Sequence, residues 1–376
     1  MNELESQVDT VLKETEGFLK LKPNFVTRYY MDHARLGLGK HPGDTYQPTV
    51  GRWIPERWIA STVEASHVNP APGEGLSLLE FRGLPLTLRD ALRVRAPEIL
   101  GEGLTKKYGG GFPVLSKILD PHFPLVFHFH VRDEDVRNHP KHFSQHKWGK
   151  EEAYYFPHQP KGPTPYTHLG LHPGVTLDDL ARAISRGGEC ALELSPVATQ
   201  VFGQGMYVPA GVPHRPGTAL TLEIQQPSDV SLHLEWEFMD RRKTPEQTHP
   251  GFTSIEESLQ FVAMKNATSS KIIETNSLIP ERIEGENSGG WQNWIFPPHV
   301  TSKFSGKLVC VEQEISLQES SPYAFLIWSG QGQLENMPIK AGDEFLVTQP
   351  RAAVPHRFRR IGSKRLEFFA LFPPCI

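Results

Sequence analysis

Residues 124–131 read PLVFHFHV, an apolar run in which two histidines stand two positions apart. Aromatic and β-branched residues in such a run are typical of a buried strand. Because side chains alternate along a strand, His128 and His130 point to the same face, and both imidazoles can enter one barrel interior. The stretch therefore predicts a core strand of a β protein that carries two candidate metal ligands.

Two later stretches supply further candidate ligands. Residues 151–157 (EEAYYFP) predict another strand, and Glu152 near its start offers a carboxylate. Residues 209–214 form a PxGxxH turn, in which Gly211 permits a backbone conformation that turns the histidine inward. Three imidazoles and one carboxylate suit Zn²⁺, Fe²⁺, Mn²⁺ or Ni²⁺ and do not suit Ca²⁺ or Mg²⁺. The predicted ligands of one divalent metal ion are His128, His130, Glu152 and His214.

Other interpretations of the histidines are open at this point. The two histidines of the HFH strand can be satisfied by hydrogen bonds alone. Burying an unpaired glutamate among three histidines would be costly without a cation, however, which favours the metal. A second cluster, His139, His142 and His146, has the spacing of one helix face. Pro140 and the polar surroundings favour a solvated loop there instead.

The rest of the chain predicts a mainly β architecture with two helices. The 32 glycines and 33 prolines are spread along the whole length, which predicts short strands joined by turns. Apolar residues near helical spacing predict a surface helix over 3–20. The clearest helix spans 176–187, with Thr176 as N-cap and Gly187 after its end. The polar stretch 132–149 is predicted to be a long loop.

A weak internal repeat favours two barrels. Residues 205–214 (GMYVPAGVPH) and 342–356 (GDEFLVTQPRAAVPH) each run from a glycine through an apolar strand to Val-Pro-His. The second copy offers His356 without an HxH partner, which predicts a metal-free barrel. The predicted division is a helical or extended N-terminal segment over 1–50, a metal-binding barrel over 51–240 with a helical insertion near 176–187, a connecting segment over 241–290, and the metal-free barrel over 291–376.

Composition excludes several classes of protein. A formal net charge of −4 gives no electrostatic reason to expect a nucleic-acid partner. The sequence contains no run of about 18 apolar residues, the length that would predict a membrane-spanning helix. Cys190, Cys310 and Cys375 lack CxxC spacing, which argues against a disulfide framework and a thiolate metal site. The polar N-terminus (MNELESQVDT) does not resemble a signal peptide, so a cytoplasmic location is expected. No pattern indicates an oligomeric state.

In order along the chain from about Trp53 to the C-terminus, the sequence resembles type I mannose-6-phosphate isomerases, a family of zinc-dependent double cupins. The resemblance rests on residues 112–131 (FPVLSKILDPHFPLVFHFHV), 149–156 (GKEEAYYF), 207–231 (YVPAGVPHRPGTALTLEIQQPSDVS) and 329–347 (SGQGQLENMPIKAGDEFLV). It implies a double cupin of two β-barrel (jelly-roll) domains with an N-terminal helix and a small helical insertion. It also implies the same four metal ligands, with His128 standing where the family usually has glutamine.

Departures from the family pattern bear on the substrate. Lys150 matches the family's active-site lysine, but His233 stands where the family usually has arginine. Val126 stands where the family has serine. Because an arginine and a hydroxyl are natural partners of phosphate, their loss argues against a phosphorylated substrate. Lys147, Lys150 and Arg215 still supply positive charge, so a phosphosugar is not ruled out.

The resulting hypothesis is a metal-dependent aldose–ketose isomerase that acts on a sugar or sugar derivative, with Zn²⁺ as the favoured metal. Lys150 and His233 are the candidates for proton transfer or orientation, with a metal-bound water as a third candidate. Arg215, Glu223 and Gln225 are the candidate substrate contacts. Two alternatives are an iron-dependent cupin oxygenase and a sugar-binding cupin without catalysis, because one barrel fold hosts many functions.

Overall fold

The computed structural model describes residues 3–28, 53–66, 70–121, 123–238, 241–242, 244, 248–249, 251–285 and 289–375. Helices in these residues are α1 (Glu3–Glu14), α2 (Leu88–Leu100), α3 (Glu102–Tyr108), α4 (Asp133–Asn138), α5 (Pro140–Phe143), α6 (Leu177–Arg186), α7 (Gly188–Leu192), α8 (Ile255–Leu259), α9 (Met264–Ala267), α10 (Ile272–Asn276) and α11 (Gln349–Ala352). None of the helices in these ranges is long and apolar enough to cross a membrane.

The strands are more numerous than the helices, so the predicted mainly β class is confirmed. They are β1 (Phe18–Leu21), β2 (Asn24–Arg28), β3 (Trp53–Ile59), β4 (Leu115–Leu119), β5 (His128–Phe129), β6 (Glu152–Tyr155), β7 (Tyr166–Leu169), β8 (Val197–Thr199), β9 (Gly205–Val208), β10 (His214–Arg215), β11 (Thr221–Gln225), β12 (Leu232–His233), β13 (Glu237–Phe238), β14 (Arg241–Arg242), β15 (Ser277–Leu278), β16 (Glu281–Arg282), β17 (Gly290–Phe296), β18 (Ser305–Val311), β19 (Glu314–Leu317), β20 (Tyr323–Ser329), β21 (Gln331–Leu334), β22 (Met337–Lys340), β23 (Glu344–Val347), β24 (His356–Arg360) and β25 (Leu366–Phe372).

Two predicted elements differ in the structure. The helix predicted over 3–20 ends at Glu14, because Glu16 and Gly17 adopt positive φ angles of 50° and 81° that a right-handed helix does not allow. Residues 18–21 form β1 instead and pair antiparallel with β23. The predicted loop over 132–149 contains the short helices α4 and α5.

The predicted helix over 176–187 is confirmed as α6. Thr176 accepts a hydrogen bond from the amide of Asp179, and the Asp179 carboxylate accepts one from the amide of Thr176. This reciprocal capping satisfies amide groups that the first helical turn leaves without partners. Leu180, Ala183 and Ile184 are buried, so one stripe of the helix packs into the core.

Contacts divide the chain into two compact units of interleaved segments. The first unit contains residues 1–26, 57–117 and 279–376, and the second contains residues 27–56 and 118–278. The consecutive boundaries proposed from the sequence stay a prediction about domain organisation. Residues 29–52, which include the second part (29–50) of the predicted N-terminal segment, lie outside the described residues.

In the first unit two antiparallel sheets share one core. A seven-stranded sheet has the order β1-β23-β20-β25-β18-β17-β16, and a four-stranded sheet has the order β19-β24-β21-β22. Phe325, Phe345 and Phe368 of the larger sheet pack with Phe358 of the smaller one, and all four are buried. Their aromatic side chains remove large apolar areas from water and so account for much of the stability of this unit.

The second unit also brings two sheets together, and this arrangement positions the candidate site. A five-stranded sheet has the order β12-β5-β10-β7-β8, and in a second sheet the strands β15, β9, β6 and β11 are consecutive neighbours. Phe127, Phe129 and Val131 alternate with the histidines of 128–130 and pack with Leu180 and Ile184 of α6. Because alternate side chains of a strand point to opposite faces, His128 and His130 point away from α6.

Candidate metal centre

The four predicted ligands meet in the second unit. His128 and His214 lie directly opposite each other on β5 and β10, His130 follows β5, and Glu152 begins β6. One ligand atom from each of the four lies within 4.8 Å of the others, and all four side chains are buried. Within the described residues, this is the only group of three or more such side chains that can hold a metal ion.

Backbone carbonyl groups set the orientation of all three imidazoles. The Nδ1 partners are the carbonyl oxygens of Val126 for His128 (2.7 Å), Val230 for His130 (2.7 Å) and Val212 for His214 (2.9 Å). Since a carbonyl only accepts, each Nδ1 must carry the hydrogen and donate it. Each Nε2 then presents a lone pair, which is the arrangement that metal-binding histidines usually have.

The Nε2 atoms face a carboxylate that they cannot hydrogen-bond in this tautomer. The Nε2 of His130 lies 3.1 Å from Glu152 Oε2, and the Nε2 of His214 lies 2.9 Å from Glu152 Oε1. Both Nε2 atoms are buried without a hydrogen-bond partner among the described residues. Buried acceptors that face one another are costly unless a cation lies between them, so this donor set fits a divalent metal ion.

Electrostatics favour the protonation states that a metal requires. Burial lowers the pKa of His128 well below its usual value and that of His130 to about 3, so both imidazoles are neutral. Burial alone would raise the pKa of Glu152, but the Lys150 ammonium beside it holds the pKa well below its usual value. Neutral imidazoles and an ionised carboxylate are the forms that bind metals.

Lys150 and Tyr154 both contact the carboxylate of Glu152. The Nζ atom of Lys150 lies 2.9 Å from Glu152 Oε2, and the hydroxyl of Tyr154 donates to Oε1. Lys150 is only 6% exposed, so its ammonium group is held inside the unit rather than at the surface. The predicted active-site lysine therefore lies beside the four-residue cluster.

A glycine turn places His214. Gly211 has φ of +83°, and its amide donates to the carbonyl of His130 at 2.6 Å. A Cβ at this position would lie 2.7 Å from the Cβ of Ala263, closer than side chains approach one another. Both the φ angle and the close approach therefore require glycine, as the PxGxxH pattern suggested.

His233 lies on the same face as the cluster. It is directly opposite His128 across β12 and β5, and the two ring centroids are 6.1 Å apart. Directly opposed residues of neighbouring strands project their side chains to the same side of the sheet. The second predicted proton-transfer residue is thus brought within one side-chain length of a predicted ligand.

Glu223 and Gln225 share a face with Glu152. Gln225 is directly opposite Glu152, and Glu223 is directly opposite Tyr154. The Nε2 atom of Gln225 donates to the carbonyl of Ser228 at 2.5 Å, which fixes the orientation of the amide. Its Oε1 is buried without a hydrogen-bond partner among the described residues and can accept a hydrogen bond from a bound hydroxyl group.

Arg215 is not brought to the cluster. It follows His214 along β10, so its side chain starts on the opposite face of the sheet. Its Nε atom donates to the carbonyl of Leu125 at 2.8 Å and lies 3.7 Å from Glu235 Oε2. A role for Arg215 in substrate binding stays a prediction.

The alternative histidine cluster has other contacts. His142 stacks on Phe252 with ring centroids 4.4 Å apart, and its Nδ1 donates to the carbonyl of Gly251 at 2.7 Å. His139 meets the ring of Phe261 edge-on. These histidines pack against aromatic side chains of the region around α8 instead of converging on one point.

The first unit contains a histidine that closely parallels His214. His356 also follows Val-Pro, and its Nδ1 lies 3.0 Å from the carbonyl of Val354, two residues earlier. Its Nε2, however, accepts a hydrogen bond from the hydroxyl of Tyr323 at 2.5 Å. The Nε2 atom of His356 therefore already has a hydrogen-bond partner, whereas the Nε2 atom of His214 faces Glu152.

Sequence analysis missed two polar residues next to the site. Asp133 lies in the stretch predicted to be a loop, and its Oδ1 accepts a hydrogen bond from the amide of Gly149 at 2.8 Å. Gln226 contacts Asp133 and the backbone of Glu151. Gln226 lies in the quoted stretch 207–231, but nothing in the local pattern distinguishes it from a solvated residue.

Comparisons with known proteins identify the fold. No protein-family model matches the chain, and no curated protein matches it in sequence. The structure of mannose 6-phosphate isomerase from Bacillus subtilis is 18% identical, with a TM-score of 0.67 over 94% of this chain and 99% of that protein. A single-residue variant of phosphomannose isomerase from Salmonella typhimurium is 15% identical, with a TM-score of 0.66 over 96% and 100% of the two chains. The resemblance seen in the sequence is thus confirmed at the level of the fold.

Proposed function

We propose that this protein is a metal-dependent aldose–ketose isomerase whose site lies in the second unit and acts on a sugar or sugar derivative. The observation that carries the proposal is the buried group of His128, His130, His214 and Glu152, in which the Nε2 atoms of His130 and His214 face the carboxylate at 3.1 and 2.9 Å. The shared fold with the Bacillus subtilis and Salmonella typhimurium isomerases supports it along nearly the whole chain. In this proposal the two units are cupin-type barrels, and the first unit holds no metal.

The ligands of the proposed metal are His128, His130, Glu152 and His214. Zn²⁺ is the favoured ion, because nitrogen donors with one carboxylate suit it and the resembling family uses it. A divalent cation at this position would supply Lewis-acid stabilisation of negative charge on the substrate oxygens. The carbonyl partners of the three Nδ1 atoms would keep the imidazoles oriented for this task.

Residues of the chain supply the proton chemistry in this proposal. Isomerisation requires one proton to move from C2 of an aldose to C1 and another to move from the O2 hydroxyl to O1, and positioned side chains must hold these protons meanwhile. His233 projects from the sheet beside His128 and is the candidate to accept this proton on its imidazole. Lys150, held by Glu152, is the candidate to orient and donate to a substrate oxygen.

The polar side chains near the proposed metal ligands favour a substrate that carries no phosphate group beside them. The carbonyl oxygen of the Gln225 amide is a buried acceptor, so it takes a hydroxyl hydrogen and repels a phosphate oxygen. Two of the three basic side chains that could supply positive charge lie beside acidic side chains: Lys150 beside Glu152 (2.9 Å) and Arg215 beside Glu235 (3.7 Å). We therefore propose a free sugar or a neutral sugar derivative.

Elemental analysis of the purified protein followed by an aldose–ketose screen tests the proposal. We expect about one zinc ion per chain and interconversion of a free aldose and its ketose, with a slower reaction or none on phosphorylated sugars. A metal-loaded protein that interconverts no aldose–ketose pair would contradict the isomerase. Bound iron with oxygen consumption would indicate the oxygenase, and thermal stabilisation by a sugar without turnover would indicate a binding protein.

A further inference from the structure

The backbone on both sides of Lys150 is held by a closed set of hydrogen bonds. The amide of Gly149 donates to Asp133 Oδ1 at 2.8 Å, and the amide of Lys150 itself donates to the carbonyl of Val131 at 2.9 Å. The amide of Glu151 donates to Gln226 Oε1 at 3.0 Å, and the carbonyl of Glu151 accepts from the amide of Gln226 at 3.1 Å. Four consecutive polar contacts thus fix three residues of the chain.

One further hydrogen bond joins the two side chains of this set. The Nε2 atom of Gln226 donates to Asp133 Oδ1 at 2.9 Å, so a single carboxylate oxygen accepts from both Gln226 and Gly149. Because Oε1 of Gln226 accepts from one residue and Nε2 donates to another, its amide has only one consistent orientation. Gln226 is 4% exposed, whereas Asp133, the first residue of α4, is half-buried, so the arrangement is partly shielded from competing water.

The chain approaches closely at this point. A Cβ on Gly149 would lie 2.4 Å from the carbonyl oxygen of Val131, so only glycine lets the segment before Lys150 lie against the segment after His130. The hydrogen bonds that Asp133 and Gln226 make with residues 149–151 are called the clamp below. They tie Lys150 to the segment that follows His128 and His130. Its ammonium reaches Glu152 Oε2 at 2.9 Å from this fixed base.

We infer that Asp133 and Gln226 are positioning residues that hold Lys150 in its reactive place beside Glu152. This inference rests on the proposed isomerase function for its effect on turnover. Neither side chain contacts the four predicted metal ligands in the contacts described above, so both act through the backbone of residues 149–151. Holding a reacting group within fractions of an ångström of its place is worth orders of magnitude in rate.

Two substitutions separate positioning from general stability. Gln226→Met keeps the length and burial of the side chain but removes both hydrogen bonds of its amide. Gln200→Met is the matched control in the same unit, because Gln200 is 3% exposed and likewise accepts from a backbone amide, that of Ala219 at 3.0 Å. Gln200 also donates to Thr167 at 3.2 Å, away from Lys150.

We expect Gln226→Met to lower kcat about 10- to 100-fold while KM and metal content stay close to those of the wild type. Amide hydrogen exchange in residues 149–151 should become faster, because the amide of Glu151 loses its acceptor and Asp133, the acceptor of the Gly149 amide, loses its hydrogen bond from Gln226. Gln200→Met should lower the unfolding midpoint without a comparable loss of kcat. Equal losses of kcat in the two variants, or unchanged exchange at residues 149–151, would overturn the inference.

A pair of substitutions at Asp133 provides a second test that does not depend on Gln226→Met folding. Asp133→Asn keeps an oxygen that can accept from both Gly149 and Gln226 and should retain most of kcat, whereas Asp133→Leu removes this acceptor and should lower kcat. Equal kcat values in the two variants would count against the clamp. A wild-type protein without isomerase activity would refute the proposed function instead, while the exchange measurement would still decide whether the clamp holds Lys150.

Discussion

The histidines at 214 and 356 offer a matched pair for testing the metal site. Both are fully buried at 0% exposure, both follow Val-Pro, and both use Nδ1 to reach the carbonyl of the residue two positions earlier. They differ at Nε2, which faces Glu152 in one unit and accepts from Tyr323 in the other. His214→Ala and His356→Ala therefore remove equally buried side chains, and only the first removes a predicted ligand.

The expected magnitudes follow from these contacts. His356→Ala leaves the buried hydroxyl of Tyr323 without its acceptor, which costs about 1–3 kcal/mol of folding free energy. In His214→Ala, the loss of a ligand should weaken metal binding at least as much as the roughly 100-fold that loss of an outer hydrogen-bond partner can cause. At a metal concentration about 1,000 times the wild-type Kd, stabilisation by the metal then falls from about 4 kcal/mol to about 1.4 kcal/mol or less.

The assay is denaturant unfolding with and without added Zn²⁺, combined with elemental analysis after gel filtration. The wild type and His356→Ala should retain about one ion per chain and gain about 4 kcal/mol from the metal, whereas His214→Ala should lose its ion on gel filtration and gain about 1.4 kcal/mol or less. The reasoning would be refuted if His214→Ala kept its ion and its metal-dependent stabilisation. It would equally be refuted if His356→Ala lost them to the same extent.

Three further predictions concern charge, backbone geometry and pH. Glu152→Gln should abolish metal binding and cost about 3–5 kcal/mol in urea unfolding, because the Lys150 ammonium stays buried without its partner. Gly211→Ala and Gly174→Ala both place a side chain at positive φ, 83° and 86°, but only position 211 lacks room for a Cβ. Elemental analysis should therefore show a loss of metal in Gly211→Ala and not in Gly174→Ala. Equal metal contents in the two variants would contradict this reasoning. Burial raises the pKa of Glu235 to about 7 from an ordinary 4.5, so the native state retains a proton that the unfolded chain releases, and stability is lost as pH rises from about 4.5 through 7. Glu235→Gln should remove that loss, so its stability relative to the wild type should rise by roughly 3 kcal/mol between pH 4 and pH 8, and a pH-independent difference in unfolding midpoints would count against it.

Local patterns in the sequence were sufficient to identify the predicted ligands. A two-residue repeat in a strand places His128 and His130 on one face, and a turn with glycine places His214. The same holds for α6, whose start at Thr176 and end before Gly187 depend on capping groups within a few residues. Each of these features depends on contacts between residues that are close in sequence, so the local sequence is sufficient to predict them.

Local patterns were insufficient where a contact depends on distant partners. The end of α1 was misplaced because residues 18–21 gain more by pairing with β23, over 300 residues away, than by continuing an exposed helix. Likewise, no spacing of residues in the sequence predicts that residues 57–117 belong to the same unit as residues 279–376. Sheets assemble strands whose partners lie far apart in the chain, and their order follows from packing of the whole core.

By itself, then, the sequence determined which side chains can bind a metal and which secondary structures carry them. Only the tertiary structure decided that the Nε2 atom of His214 faces a carboxylate while that of His356 meets a hydroxyl, although the two turns read alike. It likewise decided that Gln226 and Asp133 meet across 93 residues to hold the backbone of Lys150. The physical reason is that strand periodicity sets the direction of a side chain, whereas the group it meets depends on the folded chain as a whole.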